Sequence, residues 1–383
     1  MNRVLLVAEA VTLAHVTRCL ALSSALDGYE VHVAWDPRYN RLIGPLPARY
    51  SRIRTIPGER FFTALARGTP IYSMSDLVRY VTDDLALLDR VRPDVVVGDF
   101  RLSLDVSARL AGIRYVTVTN AHWSPHIRVP APVPDITLTR LFGVRLGQRL
   151  FDLGQPAVGR WHARPFRRLR RRYGLPAPAL DIRDAYTQAD RTLCADVAEL
   201  FDAPFDAPDP NGSTGGFIGP VLWSPDVPLP SGWDELPADR PLVYVSLGSS
   251  GRRGLLPLVL RALADLPVVA VHSTAGELLP AHRILPRASL VIGNGGSAGN
   301  YQALAAGRPV IGICDNLDQY FSMSLVERAG AGWLVRGGRL TPPALRDVVR
   351  RALADSSARA RAEELAGVIA GYETAERFRK ALS

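Results

Sequence analysis

A chain of 383 residues, of which 47% are hydrophobic and 22% charged, has the composition of a globular protein with enough apolar material for two cores. The net charge of +9 comes almost entirely from arginine, because Lys380 is the only lysine. Cys19, Cys194 and Cys314 are few and widely separated, which argues against a disulfide framework and against a zinc site.

The apolar stretch at the N-terminus, residues 3–16, is too short and too interrupted to predict a signal peptide or a membrane span, so we expect a cytoplasmic protein. Residues 160–172 hold seven arginines interrupted by three large apolar residues. A solvated helix face is the first interpretation of this stretch, and weak contact with a membrane surface is the alternative. No partnership with nucleic acid is expected.

The chain begins with a strand, loop, helix and strand pattern. RVLLVAEA is an apolar run, and residues 15–35 continue with helical spacing, a glycine stop and a second apolar run. The pattern recurs with the run PDVVVGDF at 93–100, a helical stretch, and RYVTVTN at 114–120. Buried strands that alternate with helices indicate a parallel sheet covered on both faces.

Residues 128–175 break this rhythm with prolines, arginines and aromatic residues, and we expect inserted helices there. A proline-rich stretch at 219–241 predicts a linker. After it the alternation of strand and helix patterns restarts. The sequence therefore predicts an α/β protein with two domains of the same type.

Two glycine-rich loops follow predicted strands of the second domain, SLGSSG at 246–251 and GNGGSAGN at 293–300. A helix N-terminus after such a loop offers unpaired N–H groups and partial positive charge, which suit phosphate. Neither loop is a P-loop, and neither is a GxGxxG motif after the first strand. Each loop alone is an ordinary strand-to-helix turn, but the pair favours a phosphate cradle.

The order of motifs resembles that of the GT-B nucleotide-sugar glycosyltransferases, in particular the UDP-glycosyltransferase-like enzymes that act on small molecules and lipids. His15 in LAHV and the linker sequence IGPVLWSP match this family, as does the loop that opens with Gly248 and Ser249. The stretches NGGSAGNYQALAAGRP and DNLDQYFSMSLVERAGAG follow in register. The resemblance spans the chain and is strongest over residues 287–335.

The resemblance implies two Rossmann-like parallel-sheet domains that face a cleft. It implies an acceptor-binding domain at 1–218, a linker at 219–241, a nucleotide-sugar-binding domain at 242–365, and a C-terminal helix at 366–383 that crosses back to the first domain. The implied activity is inverting transfer of a sugar from a UDP- or dTDP-sugar to a small-molecule acceptor of natural-product type. Since no Asp-x-Asp motif occurs, neither a metal nor another cofactor is expected. The oligomeric state stays open.

By resemblance, His15 is the catalytic base and Asp99 orients it, with Asp105 as a weaker candidate for that role. Local sequence also allows His15 to be a helix-capping or gap-filling residue and Asp99 to be a helix cap. The predicted donor-binding residues are Ser249, Ser250, Asn294, Gly295, Gly296 and Ser297 for the diphosphate, Gln302 for the ribose, and Asp318 and Gln319 for the sugar. The predicted acceptor-binding residues are Phe62, Tyr72, His122 and Trp123, with burial in the core as the alternative.

Three positions depart from the family pattern. Asn294 replaces a histidine, Gly299 a threonine and Gln302 a glutamate, although a bacterial subgroup resembles this chain in its NGGS loop. The element that seats the nucleobase is not recognisable in residues 275–287, which leaves the base of the donor open.

Alternative functions are a catalytically silent auxiliary protein, a membrane-surface transferase with a lipid acceptor, and a sugar-nucleotide enzyme such as an epimerase.

Overall fold

The computed structural model describes residues 2–127, 129–177, 181–201, 216–248, 254–273 and 277–383. The chain divides into two compact units. The first comprises Met1–Arg128, Leu153–Val221 and Glu373–Ser383, and the second comprises Val129–Asp152 and Leu222–Tyr372. Residues 129–152 therefore group with the second unit, whereas the sequence-based boundaries keep them in the first domain.

Within the described residues each unit contains one sheet, and every pair of neighbouring strands is parallel. The first sheet has the order β3-β2-β1-β4-β5-β6-β7 and the second has the order β12-β11-β10-β8-β9. This confirms the predicted fold class of two parallel-sheet α/β domains. The strands are β1 (Arg3–Ala8), β2 (Glu30–Trp35), β3 (Tyr50–Arg52), β4 (Val95–Asp99), β5 (Arg114–Thr119), β6 (Arg191–Cys194), β7 (Gly216–Phe217), β8 (Leu242–Ser246), β9 (Val269–His272), β10 (Ala288–Gly293), β11 (Val310–Cys314) and β12 (Gly332–Arg336).

Helices connect the strands of both units. One of them, α6, contains a break at Gly143, where the backbone leaves helical geometry with φ 72°. The helices are α1 (Leu13–Ser23), α2 (Asn40–Ile43), α3 (Gly58–Arg67), α4 (Met74–Val91), α5 (Leu104–Ala111), α6 (Thr137–Arg172), α7 (Ile182–Thr187), α8 (Leu256–Leu263), α9 (Ala281–Ile284), α10 (Ser297–Ala305), α11 (Leu317–Arg328), α12 (Pro342–Ala354), α13 (Ser356–Ala370) and α14 (Thr374–Leu382).

The central strands are continuous apolar runs because helices cover both faces of each sheet. All five residues of β4 are buried, and so are five of the six residues of β1. The register pairs Ala8 with Asp99, so the ends of these two strands lie side by side. Polar residues just beyond the two strand ends are thereby brought together.

The last helix, α14, is held in the first unit by arginines that bond to its C-terminal carbonyl groups. Arg114 Nη1 donates to the Leu382 carbonyl at 2.9 Å, and Arg191 Nη1 donates to the Ala381 carbonyl at 2.9 Å. Cations at this end of a helix satisfy carbonyls that have no partner inside the helix and interact favourably with the helix dipole.

A buried ionic cluster lies beyond the ends of β1 and β4. The Arg101 side chain is fully buried and donates to Glu9 Oε2 at 2.8 Å and to Asp84 Oδ1 at 3.0 Å. Tyr80 donates to Glu9 Oε1 at 2.6 Å, and its ring centroid lies 3.6 Å from the guanidinium carbon. Burial raises the pKa of Glu9, and Arg101 opposes that rise. Burial alone would lower the pKa of Arg101, but Asp84 and Glu9 outweigh it and raise the pKa.

Replacing Arg101 with methionine should lower the free energy of unfolding of the first unit by roughly 3–5 kcal/mol, because Glu9 and Asp84 would stay buried without their cation. Urea denaturation followed by tryptophan fluorescence measures this change. Arg350→Met is the matched control, since the pair that Arg350 forms with Asp347 is exposed and should contribute about 0–1 kcal/mol. Equal losses in the two variants would contradict the assignment.

Candidate functional site

The first unit has a candidate site where β1 and β4 end. After β1 the chain passes through residues 9–12 and enters α1 at Leu13, with Thr12 as the extended N-cap residue. His15 therefore lies in the first turn of α1. The helix begins at Leu13, two residues before the start of the helical spacing in the sequence.

The His15 imidazole is bonded to the Asp99 carboxylate. His15 Nδ1 lies 2.8 Å from Asp99 Oδ1, and the side chains are 20% and 2% exposed respectively. A carboxylate at Nδ1 favours the tautomer with its proton on that nitrogen, which leaves Nε2 with the free lone pair. This is the arrangement that a general base requires.

The structure also settles the alternatives for the orienting carboxylate. Asp99 is not the cap of α5, because that helix begins after Ser103. Asp105 forms ion pairs with Arg170 and with Arg109, whose Nε lies 3.2 Å from Asp105 Oδ1. Of the two carboxylates considered, only Asp99 is bonded to His15 in the described structure.

A network that the sequence does not reveal continues from Asp99 along the sheet edge. Arg18 Nε lies 3.4 Å from Asp99 Oδ2, and Arg18 Nη2 donates to Asn120 Oδ1 at 3.1 Å. Asn120 Nδ2 donates to Asp196 Oδ1 at 3.1 Å. Two signals could have located it: Arg18 lies three residues after His15 on one helix face, and Asn120 directly follows β5.

Phe100 forms the wall beside the imidazole. Its ring stacks on His15 with centroids 5.0 Å apart and an interplanar angle of 8°. The backbone of Phe100 has φ 60°, a left-handed conformation that is unfavourable for a bulky residue. The buried Arg101 that follows Phe100 helps to hold this turn. Backbone strain at this point therefore places an aromatic ring against the candidate base.

An aromatic cluster extends from Phe100 into the first unit. The ring of Phe100 lies 5.3 Å from that of Tyr186, which in turn stacks on Trp123 at 4.9 Å and 15°. Phe62 packs edge-on against Phe61 at a centroid distance of 5.3 Å. Phe62 and Trp123 are partly buried, so their positions suit the predicted acceptor role.

The other two predicted acceptor residues lie deeper. Tyr72 is 4% exposed and His122 is 2% exposed, which favours the alternative that they are core residues. Tyr72 Oη is a buried oxygen for which the described residues provide no hydrogen-bond partner. Burial raises the pKa of Tyr72 well above its usual value, so the phenol is neutral at physiological pH. Sequence periodicity alone does not separate a pocket wall from a core position.

The second unit has a candidate site of its own, where β10 ends. Asn294 Oδ1 accepts a hydrogen bond from the Gly296 N–H at 3.1 Å, and Gly296 is the N-cap residue of α10. Gly295 has φ 77°, and a Cβ atom there would lie 2.7 Å from Cys314 Sγ. Asn300 Nδ2 donates to the Gly295 carbonyl at 3.0 Å. The loop is therefore fixed in front of a helix N-terminus whose first N–H groups have no intrahelical acceptor.

Other predicted donor-binding side chains near this loop make internal contacts. Ser297 Oγ donates to Ser322 Oγ at 3.3 Å, and Gln302 Nε2 donates to the Trp223 carbonyl. Ser249 and Ser250 lie outside the described residues. A small cavity beside the loop is lined by polar and apolar side chains of β8, β10, α10 and their neighbours. Its lining includes Tyr244, Ser246, Asn294, Asn300 and Gln302.

Asp318 and Gln319 lie in the first turn of α11. Gln319 Oε1 accepts from the Asp315 N–H at 2.9 Å, and the Gln319 N–H donates to Asn316 Oδ1 at 3.2 Å. Asn316, and not Asp318, is the N-cap residue of this helix. Gln319 is buried and completes a capping box, whereas Asp318 is partly exposed.

The described residues contain no candidate metal cluster and no candidate membrane span. No group of three or more His, Cys, Asp or Glu side chains is arranged there to hold a metal ion. No helix among the same residues combines the length and the apolar character needed to cross a bilayer.

Comparison with known proteins identifies the family. No protein-family model matches the chain. The PGL/p-HBAD biosynthesis rhamnosyltransferase of Mycobacterium bovis (strain BCG / Pasteur 1173P2) is 48% identical over 381 residues, which is 95% of this chain and 84% of the relative. The chain belongs to this family of glycosyltransferases. An "Inactive PGL/p-HBAD biosynthesis glycosyltransferase" of the same strain is 46% identical over 264 residues, 68% of this chain and 71% of that protein.

The solved structures agree with this assignment at the level of the fold. The spinosyn rhamnosyltransferase SpnG complexed with spinosyn aglycone superposes with a TM-score of 0.68 at 20% sequence identity, and the match covers 100% of both chains. The resemblance to GT-B enzymes is confirmed, and the protein is a GT-B glycosyltransferase.

The conformation of the loop in this glycosyltransferase can be tested with two glycines. Gly295→Ala should lower the free energy of unfolding of the second unit by about 1–3 kcal/mol, because the new methyl group combines a positive φ with a contact at Cys314. Gly299→Ala should be neutral or raise it by up to about 1 kcal/mol, because Gly299 is helical with open space around it. Urea denaturation measures both. Destabilisation by Gly299→Ala alone would contradict the described loop.

Proposed function

We propose that the enzyme transfers a sugar, with inversion and without a metal ion, from a UDP- or dTDP-sugar to a phenolic acceptor. The observation that carries this proposal is the 2.8 Å contact of His15 Nδ1 with Asp99 Oδ1. Two observations support a phenolic acceptor. An aromatic cluster lies beside His15, and the relatives are glycosyltransferases of phenolic glycolipid biosynthesis. The name of the 48% identical relative makes rhamnose the first sugar to test.

The reaction needs a base on the acceptor and a stabilised leaving group. His15 Nε2 takes the proton of the acceptor hydroxyl while its oxygen attacks the anomeric carbon of the sugar. The bond from that carbon to the diphosphate oxygen breaks on the opposite face, and the nucleoside diphosphate leaves with the electron pair. The Asp99 carboxylate stabilises the imidazolium that forms.

The network behind Asp99 keeps the carboxylate in place. His15 Nδ1 is bonded to Oδ1, and Arg18 Nε lies 3.4 Å from Oδ2 in an ion pair, although the described residues give Oδ2 no hydrogen bond. Asn120 links Arg18 to Asp196, which is 1% exposed and also accepts from the Ala121 N–H at 2.7 Å. A carboxylate that is fixed in this way keeps the imidazole in one orientation. Less conformational freedom is then lost when the reactive geometry forms.

The N-terminus of α10 is suited to the diphosphate. Its free N–H groups and the helix dipole stabilise the negative charge that develops on the leaving group. The Asn294 amide nitrogen is a donor toward an anion, but it carries no positive charge. The helix end and the backbone of the loop therefore supply most of the stabilisation in this variant of the motif.

The aromatic side chains beside His15 suit a planar acceptor. Phe100 stacks on the imidazole, and the Trp123–Tyr186 stack continues the apolar surface. Rings of an acceptor gain from offset or edge contacts with such side chains. A phenol also presents a hydroxyl that is more acidic than that of an alcohol, which eases its deprotonation by an imidazole.

A catalytically silent protein is the second candidate, and one observation favours it. A 46% identical relative bears the name of an inactive glycosyltransferase. Retention of the bonded pair His15 and Asp99 favours activity in this chain. Turnover of donor and acceptor by the purified protein separates the two functions.

Calorimetric titration with UDP, dTDP and GDP, without added metal, should show micromolar binding of one nucleotide. Asn294→Ala should weaken that binding about 10- to 150-fold, which corresponds to the loss of one hydrogen bond to a charged group. Asn294→His is the matched variant and should bind at least as tightly as the wild type, because imidazole also donates. Unchanged affinity in Asn294→Ala would remove its side chain from the donor site, and binding of no nucleotide would favour the silent protein.

His15→Ala should reduce transfer by at least about 10²-fold, because the acceptor loses its base, while nucleotide affinity stays unchanged. Transfer is measured by the release of nucleoside diphosphate with a phenolic acceptor. His32→Ala is the control, since His32 is bonded to Glu30 on β2 and has no role in the mechanism. Full turnover in His15→Ala would refute the assignment of the base.

A further inference from the structure

Exposed apolar side chains concentrate on α6. Twelve large hydrophobic side chains are exposed among the described residues, and eight of them belong to this helix. Leu153 is 80% exposed and Leu141 is 71% exposed. Such a concentration of exposed apolar side chains is typical of a site of interaction in a folded protein. The eight are Leu141, Phe142, Val144, Leu146, Leu150, Leu153, Val158 and Trp161.

Part of this surface forms a stripe along one face of the helix. The stripe residues are separated by 4, 3, 4 and 4 positions, which is the spacing of one helical face. The opposite face is buried, because Phe166 and Leu169 pack into the core of the first unit. The outer stripe consists of Leu146, Leu150, Leu153, Ala157 and Trp161.

Arginines extend the outer stripe and flank it. Arg164, Arg168 and Arg171 continue the same face with spacings of 3, 4 and 3 positions after Trp161, and all three are exposed. The described helix has eight exposed arginines, whereas Asp152 is its only acidic residue. Exposed apolar side chains thus predominate in the first half of the helix, which also carries Arg140, Arg145 and Arg149, and exposed arginines predominate in its second half.

We infer that the outer stripe of α6 docks on the surface of an anionic lipid membrane. The leucines and Trp161 enter the boundary between headgroups and acyl chains, and the arginines bind the phosphates of the headgroups. An amphipathic helix with this composition binds in the plane of the interface without crossing the membrane. The arginines favour a membrane over a second copy of the chain as the binding partner, because two such helices face to face would bring like charges together. The inference is independent of the transfer chemistry.

The test is co-sedimentation of the full chain with vesicles of phosphatidylcholine alone and with vesicles that contain phosphatidylcholine and phosphatidylglycerol in equal parts. The protein should bind the anionic vesicles at low salt and be released when the salt is raised to about 0.5 M. Leu153→Ser with Trp161→Ser, and separately Arg164→Gln with Arg168→Gln, should each lower the bound fraction about tenfold or more.

Matched controls use exposed residues away from α6. Leu110→Ser on α5 and Arg350→Gln with Arg351→Gln on α12 should leave vesicle binding unchanged. Circular dichroism checks that each variant is folded, and light scattering gives its mass in solution. Equal binding to both kinds of vesicle, or unchanged binding by the α6 variants, would overturn the inference. So would a dimer that the α6 variants dissociate without any loss of vesicle binding.

Discussion

Parallel pairing of neighbouring strands is the constraint on which the candidate site of each unit depends. It aligns strand ends at one edge of each sheet, so Asp99 lies beside the end of β1, and Gly293 lies beside Ser246 and Gly312. Loops that leave this edge enter helices with their N-termini near it. The candidate base thus comes from the first turn of α1, and the anion cradle comes from the first turn of α10.

The buried Arg101 gives the candidate site of the first unit its rigidity. It neutralises two carboxylates beyond β1 and β4, and it directly follows Phe100, whose backbone is strained. The interactions of the cluster offset the cost of that strain, of order 1–3 kcal/mol. Stability and candidate chemistry are therefore coupled, because the cluster that holds the fold also holds the ring beside His15.

The sequence predicts β1, β2, β4, β5 and the two glycine-rich loops, because apolar runs and turns are local signals. The pair His15 and Asp99 is implied by the resemblance to the glycosyltransferases. The sequence does not predict the network of Arg18, Asn120 and Asp196, which forms only when three strand ends meet. It also misses β3, α3 and α4. Tyr72 shows the limit most clearly: aromatic residues near loops suggest a pocket, but packing against rings distant in sequence makes this one a core residue.

The central claim is that Asp99 orients His15 as the base of a glycosyl transfer. Single-turnover rates of wild type, Asp99→Asn and Asp105→Asn, with the nucleotide sugar that binds and a phenolic acceptor, test it most directly. The account predicts that Asp99→Asn slows the chemical step by roughly 10²–10⁴-fold at unchanged donor affinity, while Asp105→Asn stays near the wild-type rate. A normal rate in Asp99→Asn, or a loss confined to Asp105→Asn, would contradict it.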